Sequence, residues 1–190
     1  MKKNARHIVS VFGSSRPVPG DPDYALAQSL GRELAGAGFT VCNGGYGGIM
    51  EASARGAKEA GGATLAVVSS SFAGKSANRW IDEVVVVDSL VDRMLKLVEM
   101  AGAYVILKGG TGTLLEFAAV WEFMNKGIMG EKPIVLLGDF WSGVVGTLKE
   151  ELAWEGLDDC TKYVTIARSP EECARLLQQK LLKANGYQPL

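Results

Sequence analysis

Leu107-Lys108-Gly109-Gly110-Thr111-Gly112-Thr113-Leu114-Leu115-Glu116 joins the end of an apolar run, Ala103 to Leu107, to an amphipathic segment through glycine and threonine. An apolar run closed by glycines and followed by a helical pattern is the strand–turn–helix step of an α/β fold. Glycines leave backbone N–H groups open to close approach, and the helix behind them turns its positive end toward the same point. Glu116 follows the last of these threonines by three residues, within reach of whatever such an anion is attached to. The layout predicts a phosphorylated, sugar-like ligand held beside an acid.

Outward from this stretch the same step repeats. Ile8 to Phe12 is a β-branched run that stops at Gly13-Ser14-Ser15. A helix is predicted from Asp21 as N-cap, with Pro22 at its first position, to about Gly36–Gly38. Phe39 to Asn43 reads as a strand closed by Gly44-Gly45-Tyr46-Gly47-Gly48, Ile49 to Ala60 as a helix, and Thr64 to Val68 as a third strand. Ser69 to Trp80 is small and polar and is expected to form a mobile loop over a site. Val84 to Val87 is the fourth strand, and Asp88-Ser89 caps a helix to about Ala101. Beyond the fifth strand come a helix from Thr113 to Lys126, a strand from Pro133 to Leu137, a helix around Trp141 to Trp154, a strand from Tyr163 to Ala167 and a helix from Pro170 to Leu182.

No repeat or linker interrupts the alternation, so the 190 residues are expected to form a single Rossmann-like nucleotide-binding domain. Short continuous apolar strands alternating with helices predict a doubly wound α/β domain with a mostly parallel sheet of six or seven strands. In such sheets the ligand lies at the carboxyl ends of the strands, near the switch in strand order. Three glycine-bearing loops fall there and supply the candidate phosphate and nucleotide contacts. They are Gly13 and Ser14; Gly44 and Gly45; and Gly109, Gly110, Thr111, Gly112 and Thr113.

Composition narrows the class of ligand. Hydrophobic residues make up 47% and charged residues 22%, as in a compact folded protein, and net charge is -1. No polybasic block is present, so neither nucleic acid nor a membrane surface is expected as a partner. Three cysteines lie far apart without a C-x-x-C pair, the apolar run His7 to Phe12 is short for a secretory core, and no stretch approaches ~18 consecutive apolar residues. A reduced, cytoplasmic setting is the expectation.

Several nucleotide motifs fail. Gly13-Ser14-Ser15-Arg16-Pro17 is not G-x-G-x-x-G, and the second strand ends in Asn43 without the acid that holds an adenosine ribose. Gly74-Lys75-Ser76 resembles the end of a P-loop, but the glycine required upstream is Ser69. The lone histidine, His7, leaves no histidine triad or histidine metal site, and no metal is expected.

The glycine loops resemble the Lonely Guy family, often labelled "possible lysine decarboxylase", whose hallmark is P-G-G-x-G-T-x-x-E preceded by a helix bearing an Arg-Lys pair. Gly109 to Glu116 matches all but the proline, which is Lys108 here. Asp92-Arg93-Met94-Leu95-Lys96 resembles the arginine helix, and Phe12 to Ser15, Asn43 to Glu51 and Lys132 to Val135 match further pieces in order. The resemblance implies a homodimeric enzyme, without cofactor or metal, that cleaves the N-glycosidic bond of a purine or cytokinin nucleoside 5'-monophosphate. A free base and ribose 5-phosphate would be released. It also implies Glu116 and Arg93 as the catalytic residues. The alternative is a non-catalytic carrier of a nucleotide or of a phosphorylated, molybdopterin-type cofactor, as some relatives of the family are.

Other roles stand beside these. Thr113-x-x-Glu116 also fits a capping box, Arg93 a solvated helix residue, and Glu51 a complement to its helix dipole. Tyr46 and Trp80 offer either a base-stacking surface or core packing. Met94 stands where the family has lysine, on a stripe of Leu90, Met94, Leu97, Val98 and Ala101 expected to face the core. Lys96 or Lys108 would then have to supply the missing charge.

Overall fold

The computed structural model describes residues 7–71 and 76–184, with side chains to residue 181. Seven strands form one all-parallel sheet: β1 (Ile8–Phe12), β2 (Thr40–Asn43), β3 (Thr64–Ser69), β4 (Glu83–Val87), β5 (Ala103–Ile106), β6 (Ile134–Leu137) and β7 (Val164–Ala167). The helices are α1 (Pro22–Gly36), α2 (Ile49–Glu59), α3 (Leu90–Met100), α4 (Thr111–Asn125), α5 (Ser142–Trp154) and α6 (Pro170–Ala184). A 3-10 turn over Asp158–Tyr163 was not foreseen and takes Tyr163 out of the last strand.

Strand order is β4-β3-β2-β1-β5-β6-β7. The chain winds outward from β1 to β4, returns to pair β5 with the other side of β1, and winds outward again. Right-handed crossovers then put α1 and α2 on one face and α3, α4 and α5 on the other, while α6, which follows the last strand, packs on the face of α1 and α2. Accordingly Leu30 and Leu34 of α1, Ala52 of α2 and Leu177 of α6 share one buried cluster. Leu97 of α3, Phe117 and Trp121 of α4 and Val145 of α5 share the other. The pleat of β1 feeds both: Val9 and Val11 join the first cluster and Phe12 the second. Each fully buried Leu, Ile or Phe contributes roughly 1.5–3 kcal/mol, which is what holds the two layers to the sheet. The edge strand β4 departs from the buried pattern, with Val84 and Val86 on its exposed face.

Loops after β1 and β5 diverge toward opposite faces at the switch in strand order, and a crevice opens between them. Main-chain bonds tie its walls together. The Ser14 N–H donates to the Lys108 carbonyl at 3.0 Å, and the Ile49 N–H donates to the Ser14 carbonyl at 2.9 Å. Gly48 adopts φ +69°, and a Cβ there would overlap the Ser14 carbonyl oxygen, so the second loop meets the first only through glycine.

Candidate functional site

The crevice encloses about 600 Å³, a size suited to a small organic ligand. Its walls bring together Gly13, Ser14, Gly44, Gly110, Thr111, Gly112, Thr113, Arg93 and Glu116 from all three glycine loops and from α3 and α4. Gly45 and Gly109 lie outside that lining. The Gly45 N–H is already donated to Asn43 Oδ1 at 2.8 Å, and its carbonyl accepts from the Asn78 N–H at 2.7 Å. Gly109 instead supports Thr113, whose side chain lies where a Cβ on residue 109 would stand.

Helix α4 starts at Thr111 with Gly110 as its N-cap, two residues earlier than the sequence pattern predicts. The capping box is therefore not formed: no side chain caps the helix, and Glu116 lies well inside it. The first N–H groups of α4 have no acceptor within the helix, and the residues that carry them line the crevice, where Gly110, Thr111 and Gly112 are exposed. Thr113 is buried, so its hydroxyl sits deeper than that of Thr111.

Glu116 is 16% exposed and faces the same space. Burial pushes its carboxyl up to about 7, against the lowering influence of Arg93. Arg93 Nη1 lies 4.0 Å from Glu116 Oε1. The arginine is buried, not solvated: its Nε donates to the Val67 carbonyl at 2.9 Å, and its guanidinium carbon lies 5.3 Å from the Tyr46 ring centre. One fixed cation, one perturbed acid and an open helix terminus thus converge on a single cavity.

Several expectations change. Met94 and Leu90 line the cavity instead of the core, while Leu97, Val98 and Ala101 of the same stripe are buried. The start of α3, which follows the carboxyl end of β4, supplies Leu90, Val91, Arg93 and Met94 to the cavity lining. Lys96 pairs with Glu99 at 2.9 Å and Lys108 with Asp23 at 3.1 Å, and neither lines the cavity. Asp21 makes no helix-cap bond; its carboxylate accepts the Val18 N–H at 2.9 Å. Glu51 stands in the first turn of α2, outside the lining.

Tyr46 lines the cavity, but Trp80 does not; its ring is flanked by the Arg79 and Arg55 guanidinium groups at 4.8 and 5.6 Å. Of the loop expected to cover the site, residues 72–75, and with them most of the P-loop-like Gly74-Lys75-Ser76, lie outside the described residues, as does the basic start Met1-Lys2-Lys3-Asn4. Asn78, in the remainder, clamps the carbonyls of Gly45 and Tyr46 at 3.0 Å each.

Arg16 is a charged cavity residue that the sequence pattern missed, beside apolar ones such as Met50, Val91 and Leu115. A single arginine in a loop carries no periodicity to mark it. Among the described residues no group of histidine, cysteine and carboxylate side chains is arranged to hold a metal, and no helix is long and apolar enough to cross a membrane. All three cysteines are free and buried.

Comparison with known proteins agrees with the motifs. The SLOG cluster4 family profile matches residues 6–174. The chain is 34% identical over 174 residues to the cytokinin riboside 5'-monophosphate phosphoribohydrolase of Mycobacterium tuberculosis, covering 89% of this chain and 86% of that protein. The protein of the same name from Rhodococcoides fascians is 32% identical over 69% of this chain and 67% of its own length. Among solved structures, the molybdenum cofactor binding protein from Rippkaea orientalis superposes with a TM-score of 0.72 at 28% identity, covering 93% of this chain and 98% of that one.

Proposed function

The chain belongs to the SLOG cluster4 family, and on that premise we propose that its crevice hydrolyses the N-glycosidic bond of a purine or cytokinin nucleoside 5'-monophosphate. The supporting observation is that the Glu116 carboxyl, raised to about 7, shares one cavity with the open N-terminus of α4 and stands 4.0 Å from Arg93. Two relatives named phosphoribohydrolases, similar over most of the chain, favour hydrolase chemistry over simple binding.

The amides of Thr111, Gly112 and Thr113 seat the phosphate, with the Thr111 hydroxyl beside them. Gly13, Ser14 and Gly44 form the adjoining walls. Anchoring the unreactive phosphate fixes the ribose against Glu116, so binding energy is used to orient the reacting bond. The C1'–N bond breaks with its electron pair leaving on the base, and positive charge develops on the sugar ring, as in glycoside hydrolysis. Ionised Glu116 stabilises that charge and takes the proton of the water whose oxygen bonds C1'. The base takes a proton from solvent, and Arg93 holds the carboxylate in place and balances it. No cofactor or metal enters the scheme.

A homodimer completes the reading. Val91 and Leu115, which line the cavity, and Leu95 and Leu114 on the same two helices are exposed apolar side chains, the kind of surface that a second copy covers.

A carrier reading has its own support. Met94 lines the cavity where the family's lysine would add a charge, and the solved protein at 28% identity is named for binding molybdenum cofactor. Incubating the purified protein with AMP and other nucleoside monophosphates separates the two. Free base and ribose 5-phosphate in equal amounts support hydrolysis; micromolar binding with every nucleotide recovered intact supports the carrier.

A further inference from the structure

We propose that Arg16 positions the phosphate, taking non-bridging oxygens of the 5'-monoester beside those that the first amides of α4 hold. This rests on the nucleoside-monophosphate reading above and adds to it the source of positive charge.

A second depression of about 320 Å³ lies beside the first, and Ser14 and Arg16 line both. Arg16 is therefore on the ridge between them. Its backbone N–H donates to Ser14 Oγ at 3.1 Å, and the Ser14 N–H donates to the Lys108 carbonyl at 3.0 Å. These bonds hold the turn that carries Arg16 against the loop leading into α4.

The charges point the same way. Arg93 faces Glu116 at 4.0 Å, Lys108 faces Asp23 at 3.1 Å and Lys96 faces Glu99 at 2.9 Å. Arg16 is exposed and makes no salt bridge among the described residues. A phosphomonoester carries about −1.5 to −2 charges, and a helix N-terminus offers roughly half a unit of positive charge. The Arg93–Glu116 pair is nearly neutral once the acid ionises, so the dianion needs another cation. With Met94 in the wall, Arg16 is the cavity arginine left to provide it, and its planar fork suits two phosphate oxygens at once.

The test is calorimetric binding of ribose 5-phosphate, which has no N-glycosidic bond to lose, and of adenosine, which has no phosphate. Wild type, Arg16→Ala and Arg16→Lys are compared, with thermal unfolding as the check on folding. Arg16→Ala weakens ribose 5-phosphate about tenfold or more and changes adenosine less than about twofold. Arg16→Lys restores part of the loss. If wild type binds ribose 5-phosphate and Arg16→Ala binds it equally well, or if both ligands weaken together, Arg16 does not position the phosphate. If wild type binds neither ribose 5-phosphate nor AMP, the monophosphate reading beneath the inference fails, and the inference with it.

Discussion

The Arg93 guanidinium occupies the space where a side chain on Gly44 would begin. A Cβ at position 44 would overlap Nη2 of the arginine, and the Met50 sulfur would stand 2.8 Å from it. The arginine that faces Glu116 is thus held between the Val67 carbonyl, the Tyr46 ring and a backbone stripped of its side chain.

Gly44→Ala follows from that contact. The clash falls on the terminal guanidinium of Arg93 and not on backbone, so the fold loses about 1–3 kcal/mol as that group is forced from its place. Activity suffers far more, because Arg93 no longer faces Glu116: kcat/KM on the best monophosphate falls about 100-fold or more. Urea unfolding and initial rates on the same preparation check the pair. Full activity in the variant would remove Arg93 from the mechanism.

Glu116 makes stability depend on pH. It stays protonated in the fold up to about 7, against an ordinary value of 4.5. The folded state therefore binds the proton more tightly, and this contribution is complete below pH 4.5 and lost as pH rises through about 7. At about 1.4 kcal/mol per pKa unit, the gap is worth about 3 kcal/mol. Glu116→Gln, neutral throughout, gains on wild type between pH 5 and pH 8 by a few kcal/mol in urea unfolding, while losing turnover. A difference that does not change with pH would mean that the carboxyl is not desolvated.

Met94→Lys would restore the charge that the family pattern places next to the arginine. Because residue 94 lines the cavity, a lysine there reaches ligand without disturbing the buried clusters. AMP binding tightens about three- to tenfold, with no gain for adenosine. Equal effects on both ligands would show that the new side chain acts by packing and not by charge.

Much of this was legible in the chain. Short β-branched runs closed by glycine at Gly13, Gly44 and Gly109 gave the alternation of strands and helices, because glycine after such a run has few other uses. Glu116 stood out by its place just after the glycine loop, whereas Arg93 was marked only by the resemblance to the family's motifs. The Thr113-x-x-Glu116 spacing misled about the helix start because Gly110 caps α4 without any side-chain bond. Leu90 and Met94 keep helical spacing with Leu97, so periodicity assigns them to the core. They stand at the start of α3, which lines the cavity, while Leu97 and Val98 further along the helix enter the core. The loss of Gly45 depended on Asn43, whose side chain claims its amide, a local bond that no pattern announces.

Leu95→Glu addresses assembly. Leu95 is 42% exposed on α3 and lies outside the cavity lining, so its replacement spares the site. Sedimentation of wild type gives about twice the chain mass of 20.2 kDa, and the variant sediments as one chain. A wild type that is already monomeric would leave the apolar face of α3 and α4 without this role.

A crystal structure of Glu116→Gln soaked with AMP bears hardest on the proposed chemistry. The phosphate is expected on the amides of Thr111, Gly112 and Thr113, with C1' of the ribose in contact with the side chain at position 116. A phosphate bound elsewhere, or a ribose turned away from residue 116, would contradict it.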